Sequence, residues 1–262
     1  MKKAVFFDLD GTIIDVVNDR PQPSAAVREA IRRLQAAGHY AFIATGRPYG
    51  FIDRRILALG FDGFVLMNGA LVIVGDRIVY QKPLDASVVT RIVRVAVENG
   101  IDFCQEGVDF IYMGQECRAL ETFFKKLHIP FEFFRREFSP RDVATYKMEF
   151  LAPQGQECFR ELLRLPGITG IEDQAHGKNF ELYSSEESKG TGILHALEHL
   201  GVPLEESYAL GDGENDIEMM QTVAHALVMG NANKKLLPYA ETVLPEVQED
   251  GAAWGIEHCI LG

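Results

Sequence analysis

The chain has 262 residues, 47% of them hydrophobic and 24% charged, which is enough apolar side chain to bury a full core and is typical of a globular protein. A formal net charge of −12 argues against nucleic acid or an anionic membrane as a partner, so any anionic ligand must be held by local cations. The apolar run Ala4 to Phe7 is too short for a signal peptide and no stretch is long enough to span a membrane, so we expect a cytoplasmic protein.

The N-terminal part of the chain alternates between strand and helix patterns. Predicted strands lie at residues 3–9, 40–45 and 63–67, and predicted helices lie between Ser24 and Gly38 and at about 50–59. Two β-rich runs around the turn Gly75-Asp76 then predict a β-hairpin. Strand, helix and strand in alternation indicate a parallel sheet with crossover helices.

The sequence changes character after Lys82-Pro83 and again after Ser184. Residues 84–184 contain a second set of strand and helix patterns, including strands near 131–134 and 145–151. The first pattern then resumes, with a strand at 207–211 and helices at 190–200, 215–221 and 233–239. We therefore predict an α/β fold with a doubly wound, Rossmann-like parallel-sheet core, formed by residues 1–83 and 185–262. An inserted α/β cap domain, residues 84–184, would interrupt this core.

Acidic side chains follow two of the predicted core strands. Asp8 and Asp10 end the first strand in the segment Asp8-Leu9-Asp10-Gly11-Thr12, and two residues apart on a strand they share one face. Asp212 follows the strand at 207–211, with Asp216 four residues later. Ligands bind at the carboxyl ends of such strands, and hard carboxylate oxygens are what Mg²⁺ prefers. The pattern therefore predicts a magnesium site beside a reactive carboxylate.

Other segments supply groups that bind phosphate. Thr45-Gly46-Arg47 ends the second strand, and Lys189-Gly190 opens a helix. A hydroxyl, a glycine amide, fixed cations and a helix N-terminus together favour an anionic phosphate ligand.

These motifs, in this order, resemble those of the haloacid-dehalogenase-like superfamily. The matching segments are the DxDGT run at Asp8, the ATGR run ending at Arg47, the Lys189-Gly190 helix start and the GDGxND run at Asp212. Asn68-Gly69-Ala70 and Met229-Gly230-Asn231-Ala232 further resemble its Cof-type, type IIB subclass. The resemblance covers about residues 1–83 and 185–262, and the insertion lies where that subclass carries its α/β cap.

The resemblance implies a Mg²⁺-dependent phosphatase that hydrolyses small phosphate monoesters, such as sugar phosphates, in two steps. Asp8 would attack phosphorus, and Asp10 would act as general acid and then as general base. The implied metal ligands are Asp8, the carbonyl of Asp10 and Asp212, with Asp216 close behind them. The implied phosphate or substrate ligands are Thr45, Gly46, Arg47, Lys189 and Asn215.

Two other functions remain open from the sequence. A phosphomutase would use the same aspartate, although nothing marks a second phosphate site. A receiver-like signalling protein would also carry a phospho-acceptor Asp with a Thr and a Lys, but such modules are about half this length and lack the insertion. Lys147, on a predicted cap strand, either faces the substrate or is an ordinary exposed lysine.

Overall fold

The computed structural model describes residues 1–127, 129–152, 156–173 and 179–262, and in it the chain forms two compact units. The first unit contains Met1–Gly46, Asp53–Gln81 and Glu187–Gly262, and the second contains Arg47–Ile52 and Lys82–Glu186. The sequence had assigned residues 47–52 to the core. They group with the second unit because the Phe51 ring packs in a cluster of that unit, with ring centroids 5.1 Å from Phe124 and 6.0 Å from Phe134.

The first unit is built on an eight-stranded sheet flanked by helices. Its strands are β1 (Ala4–Phe7), β2 (Tyr40–Ala44), β3 (Gly63–Leu66), β4 (Leu71–Val74), β5 (Arg77–Gln81), β12 (Ser207–Gly211), β13 (His225–Val228) and β14 (Thr242–Val243). Its helices are α1 (Ala25–Ala36), α2 (Arg54–Leu57), α6 (Lys189–Leu200), α7 (Ile217–Thr222) and α8 (Gly251–Gly255).

The order of the strands in this sheet is β14-β13-β12-β1-β2-β3-β4-β5. All neighbours from β14 to β3 pair in parallel, whereas β4 and β5 form an antiparallel hairpin at the edge. The chain leaves β1 towards β2 on one side and later returns to pair β12 on the other side. The ends of β1 and β12 therefore lie at the switch point where open α/β sheets bind ligands.

Apolar periodicity explains how the helices cover this sheet. In α6, Ile193, Ala196 and Leu197 are buried in one cluster with Phe6 and Phe42 of the central strands. Ser188 caps the helix by accepting a hydrogen bond from the N–H of Thr191, and Gly201 follows its end with φ +64°. These signals fix where α6 begins, and so the position of Lys189.

The second unit has a six-stranded sheet in the order β10-β11-β9-β6-β7-β8, antiparallel except for the β7–β8 pair. The strands are β6 (Asp102–Glu106), β7 (Ile111–Met113), β8 (Phe134–Arg135), β9 (Lys147–Leu151), β10 (Ile168–Asp173) and β11 (Asn179–Ser184). The helices are α3 (Ala86–Glu98), α4 (Arg118–Lys126) and α5 (Gln156–Leu162).

Several predicted elements are shorter in the structure. The helix predicted at 233–239 is only a 3-10 turn at Leu237–Tyr239, because Asn233 forms a local turn with the N–H of Lys235 and Pro238 cannot continue a helix. The helix predicted at about 50–59 is split into a 3-10 turn, Tyr49–Phe51, and α2. Among the described residues, no helix is both long and apolar enough to cross a membrane.

Candidate active site

Two aspartates from distant parts of the sequence meet at the carboxyl edge of the parallel sheet. β1 and β12 pair with Phe7 opposite Leu210, so Asp8 and Asp212 leave the sheet from neighbouring strand ends. The backbone N–H of Asp8 donates to the carbonyl of Leu210 at 2.9 Å. Carboxylate oxygens of Asp8, Asp212 and Asp216 lie within 4.8 Å of one another. The strand pairing thus brings together side chains that are about two hundred residues apart in the sequence.

The loop after β1 can pass close to Asp212 only because it contains a glycine. Gly11 has φ +84°, and a Cβ built on it would lie 2.1 Å from Asp212 Oδ2. The hydroxyl of the next residue, Thr12, donates to Asp212 Oδ1 at 3.0 Å. Asp10, immediately before the turn, is exposed. The loop therefore fixes the Asp212 carboxylate while leaving the Asp10 side chain accessible.

Lys189 places a buried ammonium between two of the carboxylates. It is the first residue of α6 and is fully buried. Its Nζ lies 2.6 Å from Asp8 Oδ1 and 2.6 Å from Asp216 Oδ1. Charge-assisted hydrogen bonds of this length orient both partners, so the Asp8 carboxylate is held in one position.

The crowding of charges perturbs the pKa values at this edge of the sheet. Burial raises the pKa of Asp8 well above its usual value, and the Lys189 charge opposes the rise. Burial and the Asp216 charge raise the pKa of Asp212 to about 7. Burial disfavours the charged form of Lys189, but the charges of Asp216 and Asp8 outweigh it and raise the pKa. Carboxylates this close together are stabilised by an additional cation.

Asp216 is fully buried and both of its oxygens are engaged. Oδ1 accepts from Lys189, and Oδ2 accepts the backbone N–H groups of Asp212 and Gly213, each at 2.9 Å. Asp216 therefore shapes the backbone that carries Asp212. This arrangement agrees with an orienting carboxylate better than with a direct metal ligand.

The predicted phosphate-binding residues of the first unit lie near one another. Thr45 is buried directly after β2. A Cβ on Gly46 would lie 3.1 Å from Asn68 Oδ1 and 3.6 Å from Asn215 Nδ2, and this amide donates to Asn68 Oδ1 at 3.2 Å. A hydroxyl, a glycine amide and a side-chain amide are thus grouped, as a phosphoryl group requires.

Two asparagines at the site were absent from the predicted set of site residues. Asn68 follows β3 at φ 54° and contacts Asn215. Asn231, just after β13, donates to the carbonyl of Gly11 at 2.8 Å and accepts from the N–H of Val247 at 2.8 Å. The signal was their position directly after core strands, which in the sequence marked only the subclass.

Arg47 belongs to the second unit, unlike the other predicted site residues. Its Nη1 donates to the carbonyl of Phe51 at 3.1 Å, inside the segment 47–52. It directly follows Gly46 in the chain, but the packing of Phe51 groups it with the second unit.

The residues at the sheet edge fit a divalent cation by the chemistry of their donors. Asp8 and Asp212 offer hard carboxylate oxygens, and the missing side chain of Gly11 lets the Asp212 carboxylate lie against the loop after β1. Mg²⁺ takes one or two carboxylates and completes its octahedron with water and phosphate oxygens. The acidic set is therefore sufficient to hold such an ion.

This fold and this site define a hydrolase of the haloacid dehalogenase-like type. The family profile described as haloacid dehalogenase-like hydrolase matches residues 5–256, and the chain belongs to that family. The chain is 28% identical over 269 residues to a Bacillus subtilis (strain 168) protein named "Putative phosphatase YkrA", covering 97% of this chain and 96% of that protein.

Solved structures show the same likeness. A protein described as hypothetical, from Geobacillus kaustophilus HTA426, has 27% identity and a TM-score of 0.87, with full coverage of both chains. The sugar phosphatase BT4131, described as a member of subclass IIB, has 26% identity and a TM-score of 0.83, covering 98% of this chain and 99% of its own. The family, the fold and the site together identify the chain as a phosphoric monoester hydrolase.

Proposed function

We propose that the chain is a Mg²⁺-dependent phosphatase that hydrolyses small phosphate monoesters, chiefly sugar phosphates, through an aspartyl phosphate on Asp8. The observation that carries this proposal is the position of Asp8. Its buried carboxylate is held by Lys189 and lies beside Asp212 at a sheet edge where phosphate-binding groups also gather. A nucleophile in this setting is fixed in place before the substrate arrives, which lowers the entropic cost of the reaction.

Residues of the chain would carry out both half-reactions, the transfer of the phosphoryl group to Asp8 and the hydrolysis of the aspartyl phosphate. One oxygen of Asp8 would attack phosphorus while the exposed Asp10 protonates the leaving oxygen, and Asp10 would then take a proton from the hydrolytic water. Thr45, Gly46 and Asn215, with the Lys189 charge, would bind the phosphoryl oxygens. Asp8, the carbonyl of Asp10 and Asp212 would hold Mg²⁺, which supplies positive charge to the transferring phosphoryl group.

The substrate class is proposed from the family and from the neighbours. BT4131 is described as a sugar phosphatase, and this chain resembles it over nearly its whole length.

The test is direct labelling of the nucleophile together with measurement of phosphate release. Wild-type protein with Mg²⁺ should release inorganic phosphate from sugar phosphates, and EDTA should stop the release until Mg²⁺ is restored. Reduction with borohydride during turnover should convert the phosphorylated aspartate to homoserine, which peptide mass spectrometry would locate at position 8.

The Asp8→Asn variant should show neither turnover nor labelling, whereas Asp76→Asn, in the exposed β4–β5 turn, should retain both. Near-normal turnover in the Asp8→Asn variant would eliminate the covalent route. Isomerised ester in place of inorganic phosphate would identify a mutase.

A further inference from the structure

The turn after β13 contains an asparagine whose side chain joins two other segments of the first unit. Asn231 donates through Nδ2 to the carbonyl of Gly11 at 2.8 Å, and its Oδ1 accepts from the N–H of Val247 at 2.8 Å. All three residues belong to the first unit. Both ends of the amide therefore bind backbone, and one end binds the loop that follows β1.

The turn that carries Asn231 is itself fixed to the end of β12. The N–H of Met229 donates to the carbonyl of Gly211 at 3.1 Å, and the N–H of Asn233 donates to the carbonyl of Asp212 at 2.9 Å. These bonds lie two residues before and two residues after Asn231. The amide of Asn231 thus starts from a backbone that is tied to the segment carrying Asp212.

The carbonyl that Asn231 binds lies at the centre of the loop after β1. Gly11 directly follows Asp10, the proposed general acid and base, and directly precedes Thr12, whose hydroxyl donates to Asp212 Oδ1 at 3.0 Å. A glycine backbone has few steric restraints, so hydrogen bonds decide how its peptide groups are oriented. Asn231 supplies such a bond one residue from Asp10.

The side chain of Asn231 also borders the space in which the catalytic carboxylates lie. A cavity of about 390 Å³ in the first unit has Asp10, Gly11, Asp212 and Asn231 in its wall. Asn231 is exposed, and holding an exposed side chain in one conformation costs entropy. A link that served the fold alone could join these segments at any point, whereas this one ends beside Asp10.

An amide is the group that suits both contacts of Asn231. Its Nδ2 donates to a carbonyl while its Oδ1 accepts from an N–H. A carboxylate at this position would keep the acceptor for Val247 but would turn a second oxygen towards the Gly11 carbonyl. An alanine would provide neither contact.

We propose that Asn231 is a positioning residue for Asp10. By holding the Gly11 carbonyl, it keeps the Asp10 carboxylate where it reaches first the leaving oxygen and then the hydrolytic water. The proposal rests on the proposed phosphatase function and deepens it. General acid catalysis requires hydrogen-bond reach of the reacting oxygen, and a displacement of about 1 Å can slow a reaction about 10²-fold.

The test compares two aromatic esters whose leaving groups differ in their need for a proton, benzyl phosphate and p-nitrophenyl phosphate. Single turnovers with excess protein and saturating Mg²⁺ measure the transfer to Asp8. Asn231→Ala should slow the release of benzyl alcohol about tenfold to a hundredfold. It should slow the release of p-nitrophenolate less than about threefold, because this anion leaves without protonation. A merely structural defect would slow both releases by the same factor.

A double-mutant cycle tests whether Asn231 acts through Asp10. In the Asp10→Asn background, Asn231→Ala should reduce the steady-state kcat for phosphate release by less than about twofold, since the acid and base that it positions is already absent. If the two substitutions instead multiply, Asn231 acts on something other than Asp10. This measurement needs only one ester that the protein hydrolyses.

Asn233→Ala is the matched control in the same turn. The Asn233 side chain is exposed, donates through Nδ2 to Glu214 Oε1 at 2.9 Å and accepts from the N–H of Lys235 at 3.0 Å. The substitution removes the same amide and the same number of contacts, yet none of them reaches Gly11. Both release rates should therefore stay at the wild-type values.

The outcomes separate this proposal from the proposed function. If wild-type protein releases phosphate from neither aromatic ester nor from sugar phosphates, the proposed function is wrong. If wild type is active but Asn231→Ala equals it, or slows both esters equally, Asn231 does not position Asp10. If wild type hydrolyses sugar phosphates alone, the double-mutant cycle decides. If Asn231→Ala fails to fold in a urea titration, Asn231→Asp, which keeps the acceptor for Val247, takes its place in the same comparison.

Discussion

The buried ammonium of Lys189 gives the sharpest test of the catalytic edge of the sheet. Its side chain is fully buried and makes two contacts of 2.6 Å, with Asp8 and with Asp216. Lys189→Met keeps a chain of similar length but leaves two carboxylates buried without their cation. Breaking a buried ion pair in this way costs about 3–5 kcal/mol, so we expect a loss of that size in the free energy of unfolding.

The loss in the free energy of unfolding should depend on pH, and the direction of this dependence follows from the pKa of the buried carboxylate. Without Lys189 the folded-state pKa of Asp8 rises further above its unfolded value, and the folded state then binds a proton more tightly than the unfolded state. Such groups stabilise the fold at low pH, and the stabilisation disappears as the pH rises through the folded pKa. The deficit of Lys189→Met relative to wild type should therefore be smaller at pH 5 than at pH 8.

Urea titrations in EDTA, followed by the fluorescence of Trp254, would measure both effects. Trp254 is the single tryptophan of the chain and lies in α8, so it reports on the first unit. Lys235→Met is the control, because its ion pair with Glu214 at 2.9 Å is exposed and such pairs contribute little. If the loss for Lys189→Met is as small as for Lys235→Met, or is the same at both pH values, the description of a charge-coupled site is refuted.

Three further changes test other parts of the structure. Asp10→Asn should slow phosphate release about 10²–10⁴-fold at saturating Mg²⁺, and an effect below tenfold would count against a general acid and base. Gly11→Ala should abolish activity, because its Cβ would lie 2.1 Å from Asp212 Oδ2. Gly38→Ala has similar backbone strain at φ +88° but nothing within 4 Å, so it should lose only about 1–2 kcal/mol of stability and stay active. Burial, with the neighbouring Glu181 charge, raises the pKa of Glu149 from 4.5 to about 7, so the stabilisation from its proton is lost as the pH rises through 7. Glu149→Gln should therefore gain stability relative to wild type between pH 5 and pH 8, by up to about 3 kcal/mol in urea titrations, and a flat difference would contradict the raised pKa.

The core of the fold could be predicted because local signals and strand alternation agree there. The buried run of β1, the N-cap Ser188 and the hairpin turn Gly75-Asp76 each have a physical signature that one sequence displays. The segment 47–52 follows a core strand, as the sequence indicates, but it groups with the second unit. That outcome depends on the contacts of Phe51 with Phe124 and Phe134, and no local pattern encodes such distant packing.

In the candidate site, too, some features follow from the sequence and others do not. Asp8, Asp212 and Lys189 follow strand ends or open a helix, so topology alone places them together. The sequence could not show that Lys189 bridges Asp8 and Asp216. It also could not show that one oxygen of Asp216 accepts hydrogen bonds from backbone N–H groups. Both contacts depend on side-chain rotamers. Lys147 is the clearest case, because a charged residue on a strand is usually exposed and only the packing of the sheet shows that it is buried.

The position of β1 in the middle of the first sheet has a consequence for the synthesis of the chain. β1 is made first, yet its neighbour β12 begins only at Ser207, after the whole second unit has been translated. Until then one edge of β1 has no native partner, whereas residues 82–186 are contiguous and can fold as they emerge. Pairing across such a separation is slow, so we expect nascent chains that stop before Ser207 to expose an apolar strand and to aggregate.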